Sequence, residues 1–379
     1  MDPIRICYVS PEYFHWGYHG GFGFLTRTLS RELAKRGHEV SVVTPRRGTQ
    51  GELEVLDGVT VHGFTPNKDG PHIFGPVLSR LASLECYKQV DADIYHSQAV
   101  SYNTLTAQVC MPQRLHMITF QDPYDLKEWN RISKVDSRYR LTPRFKVRLA
   151  VENRLLSHAC SRANALYSQA HFLKLKSRQL FSLPRDPAFL PNPVKVPTRR
   201  MKKADEPTLC FLARWDPQKR VELFLRLASS YPDIHFIAMG HAHDPVTDRR
   251  LRIEYRGQSN LELTGFVTEE EKSRILEKSW ALVNTSIREA LPISFLEALA
   301  HETPIVSGEN PDNITVKYGY HVQHDDFKSA VKSLLSDPSR TEKGEEGRRY
   351  VKRVHELDHV VDLHLNVYQG LIDGESDPR

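Results

Sequence analysis

Cysteine is scarce in this 379-residue chain: the five present (Cys7, Cys86, Cys110, Cys160, Cys210) are scattered, and none forms a Cys-x-x-Cys pair. Neither a disulfide framework nor a thiolate zinc site is indicated, and reduced thiols in a cytoplasm are the expectation. Long apolar runs are missing too. The longest stretch free of Asp, Glu, Lys and Arg, Ile94 to Gln113, is broken up by Ser, Gln, Asn and Thr. That is too polar for the ~20 apolar residues of a bilayer crossing. Met1-Asp2-Pro3 leads at once into Ile4 to Val9, without the charged start and long apolar core of a secretory signal. Low-complexity segments and internal repeats are absent. With 40% hydrophobic, 26% charged and 9% aromatic residues, the chain matches folded globular proteins, and its length predicts two or three domains.

Charge is unevenly spread. Residues 1–195 carry 26 basic and 17 acidic side chains, a balance of +9, whereas 196–379 carry 26 and 30, a balance of −4. An anionic partner is expected for the first half only. Strand patterns at 4–9, 39–44, 59–64, 93–96, 116–120 and 163–168 alternate with helical spacing, as at Phe24 to Arg36, which predicts a parallel, doubly wound sheet. Five prolines between Leu183 and Pro197 then suggest a stiff connector. A second series follows, with strands expected at 208–213, 234–239, 261–264 and 280–284. The fold class is therefore α/β, with two Rossmann-like βαβ domains facing a central cleft. The expected boundaries are 1–195, 196–355 and a C-terminal helix and tail over 356–379 that packs back toward the first domain, with 373–379 frayed.

The richest segment runs from Asn284 to Val306. A strand ends near Asn284, a loop carries Glu289, and Pro292 is placed to open a helix whose second turn holds Glu297. Both carboxylates would lie at the carboxyl edge of a parallel sheet, where open α/β folds bind ligands. Glu-x7-Glu in this context, ending Glu-Ala-Leu-Ala-x-x-x-Pro-Ile-Val, resembles the donor-site motif of the retaining family-four glycosyltransferases, whose fold is glycosyltransferase-B. Phe211-Leu-Ala-Arg214-Trp-Asp-Pro-Gln-Lys219-Arg is similar to that family's Gly-Arg-x-x-x-x-Lys-Gly segment. Tyr8 to Tyr13, Gly20-Gly21 and Leu33 to Val40 resemble its opening, and Leu263 to Glu271 its strand-turn-helix before the motif.

The resemblance implies a metal-independent transferase that uses no cofactor and takes a UDP-, GDP- or ADP-linked sugar as donor and a hydroxyl acceptor on a glycan, glycolipid or small molecule. Arg214, Lys219 and Glu289 are the implied catalytic residues. The implied donor-binding set is Gly20, Gly21, Arg214, Lys219, Glu289, Ala290, Leu291, Pro292, Ile293 and Glu297, with Glu289 on the transferred sugar and Glu297 on the ribose. The chemistry fits: a departing diphosphate needs fixed positive charge, which a forked Arg and a point-charge Lys supply. Glycines opening a helix let backbone N–H groups approach an anion. Competing readings are a sugar-nucleotide epimerase or hydrolase on the same fold, or a non-catalytic sugar-nucleotide-binding protein.

Departures accompany the matches. Gln121, on the expected acceptor and sugar side, stands where many relatives carry His, and an amide is neither acid nor base. Arg220 and His301-Glu302 replace usual glycines, and 308–320 lacks the common Gly-Gly-x-Pro-Glu run. His355-Glu-Leu-Asp-His359 spells a zinc-protease motif, but no third ligand follows at a useful spacing. Residues 127–178 hold 13 Lys+Arg against 3 Asp+Glu. This basic segment suggests peripheral contact with an anionic membrane at the inner face, and no nucleic-acid module accompanies it.

Overall fold

The computed structural model describes residues 2–16, 20–65 and 75–374 and, over 75–82, the backbone alone. Residues 375–379 of the expected tail lie outside the described residues. In chain order the first stretch holds β1 (Arg5–Val9), α1 (Gly21–Lys35), β2 (Glu39–Pro45), β3 (Leu53–Leu56), β4 (Val59–Phe64), α2 (Gly75–Val90) and β5 (Ile94–Ser97). It continues with α3 (Tyr102–Cys110), β6 (Leu115–Phe120), α4 (Leu126–Ser133), α5 (Pro143–Ser161), β7 (Ala165–Ser168), α6 (His171–Phe181) and β8 (Ala188–Phe189). The second holds β9 (Thr208–Leu212), α7 (Val221–Ser230), β10 (His235–Met239), α8 (Pro245–Glu254), β11 (Leu261–Gly265), α9 (Glu269–Lys278) and β12 (Ala281–Asn284). After these come α10 (Ile293–Ala300), β13 (Ile305–Ser307), α11 (Ile314–Lys317), β14 (Gly319–His321), α12 (Phe327–Ser336), α13 (Arg340–Val354) and α14 (Leu357–Ile372). Among the described residues no helix is long and apolar enough to cross a membrane.

Two compact units result: Met1–Asp125, Thr142–Pro193 and Asp358–Arg379 form one, and Leu126–Leu141 with Val194–Leu357 the other. The first is built on a sheet ordered β3-β4-β2-β1-β5-β6-β7-β8, parallel except for β3 against β4. Its central strands are apolar on both faces because helices cover both: Ile6, Cys7, Tyr8 and Val9 are all buried. The sequence reading passed over β3, although Asp57-Gly58 is a two-residue hairpin signal. Both residues take positive φ, 54° and 80°, as a type I′ turn requires. In α14, Tyr368 meets Tyr8 (3.0 Å) and His96 Nδ1 (2.7 Å) through its hydroxyl, and Arg36 pairs with Asp358 (2.9 Å) and Asp362.

Two segments depart from expectation. The proline-rich stretch is not simply a connector: β8 joins the sheet beside β7, and Leu190, Asn192 and Val194 are buried. The prolines lie outside β8 itself: Pro187 precedes it and Pro191 follows, so neither removes an N–H from its two-residue pairing with β7. Residues 126–141 belong to the second unit although the chain on either side belongs to the first. A buried ion pair, Arg288 Nε to Glu128 Oε1 at 3.0 Å, and the pair of Arg131 with Glu309 hold α4 there.

The second unit's sheet runs β11-β10-β9-β12-β13-β14, the order 3-2-1-4-5-6 of a dinucleotide-binding fold. Two replaced glycines now have a backbone explanation. Arg220 (φ 48°) and Glu302 (φ 57°) both occupy left-handed conformations, where a Cβ costs about 1–2 kcal/mol. Their side chains offset that cost. Arg220 donates to the Thr285 carbonyl (2.8 Å) and pairs with Asp325 (2.6 Å), and Glu302 pairs with Arg348 (2.7 Å). Arg220→Gly should therefore be about 1 kcal/mol more stable than Arg220→Ala in urea melts, since both lose the guanidinium but only Ala keeps the strain. Equal midpoints would refute this reading.

Candidate functional site

β9 and β12 are sheet neighbours whose connections leave in opposite directions, so a switch point opens beyond their carboxyl ends. Arg214 and Lys219 follow β9, and Glu289 follows β12. The two loops are laced together: Thr285 Oγ1 donates to the Lys219 carbonyl (2.7 Å), and the Ile287 amide donates to Gln218 O (2.9 Å). Trp215, buried, anchors the first loop, its amide donating to His241 O (3.0 Å).

Lys219 and Glu289 meet at this point, Nζ to Oε1 at 2.6 Å. The same carboxylate oxygen accepts from Ser286 Oγ (2.6 Å) and Asn284 Nδ2 (3.0 Å). Burial alone would raise the Glu289 pKa; the Lys219 charge and these three donors outweigh it and hold it below the ordinary carboxylate value. Glu297, on the second turn of α10, is equally buried and goes the other way. Desolvation lifts its pKa despite Lys272, whose Nζ lies 2.5 Å from Oε1. Two carboxylates on one edge thus have pKa values displaced in opposite directions, a mark of functional sites.

The other second-unit residues implied for the donor site lie on the same loops and at the start of α10. Arg214 pairs with Asp216 (3.1 Å) and stays partly exposed. Ala290 and Leu291 are buried, and Pro292 caps α10, with Ile293 its first helical residue. No side chain caps that helix.

Three neighbours escaped the sequence reading. Lys272 lies 25 residues from Glu297, a separation that carries no local signal. Glu309, just beyond β13, accepts from the Glu289 amide (3.4 Å) and is pushed up in pKa by burial despite Arg131. Arg288 sits inside the quoted motif, but its partner Glu128 is 160 residues away.

Gly20, Gly21 and Gln121 belong to the first unit. Gly20 precedes α1, and the anion at that helix start is the chain's own: the Gly23 amide donates to Glu12 Oε1 (3.0 Å). A Cβ on Gly20 would fall 2.1 Å from that oxygen, so a larger residue there would have to displace the end of the Glu12 side chain from the helix start. Gln121, expected to face acceptor or sugar, is committed to protein partners. Its Nε2 donates to Gln98 Oε1 (3.0 Å) and Asn192 Oδ1 (3.0 Å), and its Oε1 accepts from Asn192 Nδ2 (2.8 Å).

The zinc-protease spelling divides between two helices. His355 follows α13, buried and 3.1 Å from the Tyr350 hydroxyl, while His359 lies in the first turn of α14. Among the described residues no group of three or more His, Cys, Asp or Glu side chains could hold a metal ion.

Residues 19–196 match the family described as Glycosyltransferase Family 4, and residues 197–352 match Glycosyl transferases group 1. Glycosyltransferase 1 domain-containing protein 1 of Xenopus tropicalis is 25% identical over 178 residues, 43% of this chain and 48% of that protein. The match thus spans about half that relative's length. A glycogen synthase of Anaeromyxobacter sp. (strain Fw109-5) is 50% identical over 46 residues, 12% of this chain and 10% of that protein. Among solved structures, sucrose-phosphate synthase from Thermosynechococcus elongatus has a TM-score of 0.77 at 16% identity, covering 97% of this chain and 99% of that one. Anabaena HepE in complex with UDP and glucose has a TM-score of 0.72 at 10% identity, with the same coverage. These likenesses show a shared fold, the two-domain Rossmann-like glycosyltransferase-B fold. Because the two family matches adjoin and together span residues 19–352, the chain belongs to the family-4-like glycosyltransferases of the glycosyltransferase-B type.

Proposed function

We propose that this glycosyltransferase is a retaining enzyme that moves a hexosyl group from a nucleotide-diphosphate sugar to an acceptor hydroxyl, on a glycan, glycolipid or small molecule. One observation carries the reading: a half-buried lysine and a buried carboxylate sit 2.6 Å apart at the switch point of a sheet in dinucleotide-binding order. Each is the other's counter-ion until a ligand brings its own charge and hydroxyls. A diphosphate draws on the Lys219 ammonium and the Arg214 guanidinium, and the first-turn amides of α10, which lack a side-chain cap, add donors. Glu289 then accepts from sugar hydroxyls and Glu297 from the ribose.

In the reaction, the bond from the anomeric carbon to the diphosphate oxygen breaks, and its electron pair stays on the diphosphate. The acceptor oxygen bonds to the same face of that carbon, and its proton leaves with the diphosphate. Lys219 and Arg214 stabilise the charge that builds on the leaving group without reorganising, the device that supplies most of many enzymes' rate. Two of the similar solved structures hold UDP with glucose or UDP-glucose, so UDP-hexoses are the first donors to try, then GDP- and ADP-hexoses. One observation favours a second reading. Gln121 has both amide hydrogens and its oxygen committed to neighbours, as suits a protein that binds sugar nucleotides without turning them over.

Product analysis separates the readings. We expect nucleoside diphosphate release that depends on acceptor and a product keeping the donor's anomeric configuration. Release without acceptor would mean a hydrolase, an altered sugar nucleotide an epimerase, and binding without turnover the second reading. Lys219→Ala should lower kcat by about 10²–10³, as loss of a preorganised donor does; near-normal turnover would sink its assignment.

The two glutamates should fail differently. Contacts of Glu297 with ribose exist in ground and transition states alike, so Glu297→Gln should raise donor KM more than it lowers kcat. Glu289 faces the carbon where positive charge develops, so Glu289→Gln should depress kcat while donor KM moves little. The opposite split in steady-state kinetics would reverse the two roles.

A further inference from the structure

The basic segment 127–178 is divided between the two units. Its first part, through Leu141, belongs to the second unit, where Arg131 is paired with Glu309 and Arg138 with Asp136. What remains in the first unit includes α5, and α5 has an outward face unlike the inner one. Leu156, Ala159 and Cys160 are buried, whereas Val147, Val151 and Leu155 are exposed by 65%, 55% and 44%. At 100° per residue these three fall within an arc of about 80°, a continuous apolar stripe turned to solvent. Arg144 and His158 project within that arc, Arg148 borders it on one side and Arg154 on the other, and all four are exposed. The one acid of the helix, Glu152, lies toward the inner side.

We propose that α5 is an interfacial helix by which the first unit docks on an anionic lipid surface. An apolar stripe edged by arginines is the arrangement that seats a helix in the plane of a bilayer interface. The stripe enters the acyl boundary, and the guanidinium groups reach up to the phosphates on their long stems. A second copy is disfavoured by charge: a two-fold contact through this stripe would set the arginine rows of both copies against each other. For a glycosyltransferase, such docking would bring the first unit to acceptors carried in or on the membrane. The docking itself rests on nothing in the donor site.

The test is co-sedimentation of the full chain with vesicles of phosphatidylcholine alone and of phosphatidylcholine mixed with phosphatidylglycerol, at low and high salt. Binding should be confined to the anionic vesicles and should fall with salt. Replacing both Arg148 and Arg154 by Ala should weaken it roughly 30-fold, the effect of two cations near such a surface. Val151→Asp should weaken it by more than tenfold, with the circular dichroism of the wild type retained. Equal binding to neutral and anionic vesicles, no binding to either, or variants that bind like the wild type would overturn the proposal. So would sedimentation velocity showing a dimer that Val151→Asp splits, because the stripe would then be filled by a second copy. Capture of a soluble acidic protein with no vesicle binding would overturn it equally. Nucleotide binding, measured alongside, reports on the donor site separately.

Discussion

The site depends on how a protein keeps two ionisable carboxyl groups buried a few residues apart. Isolated carboxylates cannot be buried without large desolvation cost, and each here has a lysine against it: Lys219 for Glu289, Lys272 for Glu297. A buried ion pair contributes little net stability compared with apolar residues of the same size, so stability is a poor reason for two of them at one sheet edge. Ligand exchange is a better one. A nucleotide sugar carries negative charge for the lysine and hydroxyl donors for the carboxylates, and can take over both halves of the Lys219–Glu289 pair. The second pair differs, since Lys272 also holds Glu269 (2.8 Å) and desolvation leaves Glu297 easier to protonate than an ordinary glutamate.

What holds these groups in register is the bracing of the loops that carry them. The β9 and β12 loops bond to each other through Thr285, Ile287 and Arg220, and the residue before Glu289 is clamped by Glu128 on α4. Removing one partner of such a buried pair leaves an uncompensated charge, which costs about 3–5 kcal/mol. Residues from the middle of the N-terminal sequence thereby set the position of a carboxylate in the second unit. The left-handed Arg220 belongs to the same bracing: its side chain spans from the first loop to the carbonyls of the second.

Local pattern made much of this legible. Parallel strands buried on both faces announce themselves as apolar runs, which is why β1, β2, β9 and β12 lie where the sequence put them. Glu289 and Glu297 carry a strand-loop-helix context that fixes them at the sheet edge. Pairing across long separations left no trace. Lys272 reads as one more charge after three glutamates, and residues 126–141 as part of the half that surrounds them. β8 was hidden by the prolines on either side of it, which leave only two residues, Ala188 and Phe189, to pair. The zinc-protease spelling, set aside for want of a third ligand, also fails on helix continuity. It presumes one continuous helix, and the chain breaks at His355 between α13 and α14.

The central claim is that Lys219 gives up Glu289 for a diphosphate, and calorimetry tests it most directly. UDP, GDP and ADP are titrated into the wild-type chain and into Lys219→Met, which keeps the side chain's bulk and removes its charge. The account predicts that at least one diphosphate binds the wild type, and that Lys219→Met weakens it by tenfold or more, the loss of a charge-assisted contact of about 1.5–3 kcal/mol. Unchanged affinity in Lys219→Met would contradict it, because the ammonium would then have no part in holding the diphosphate.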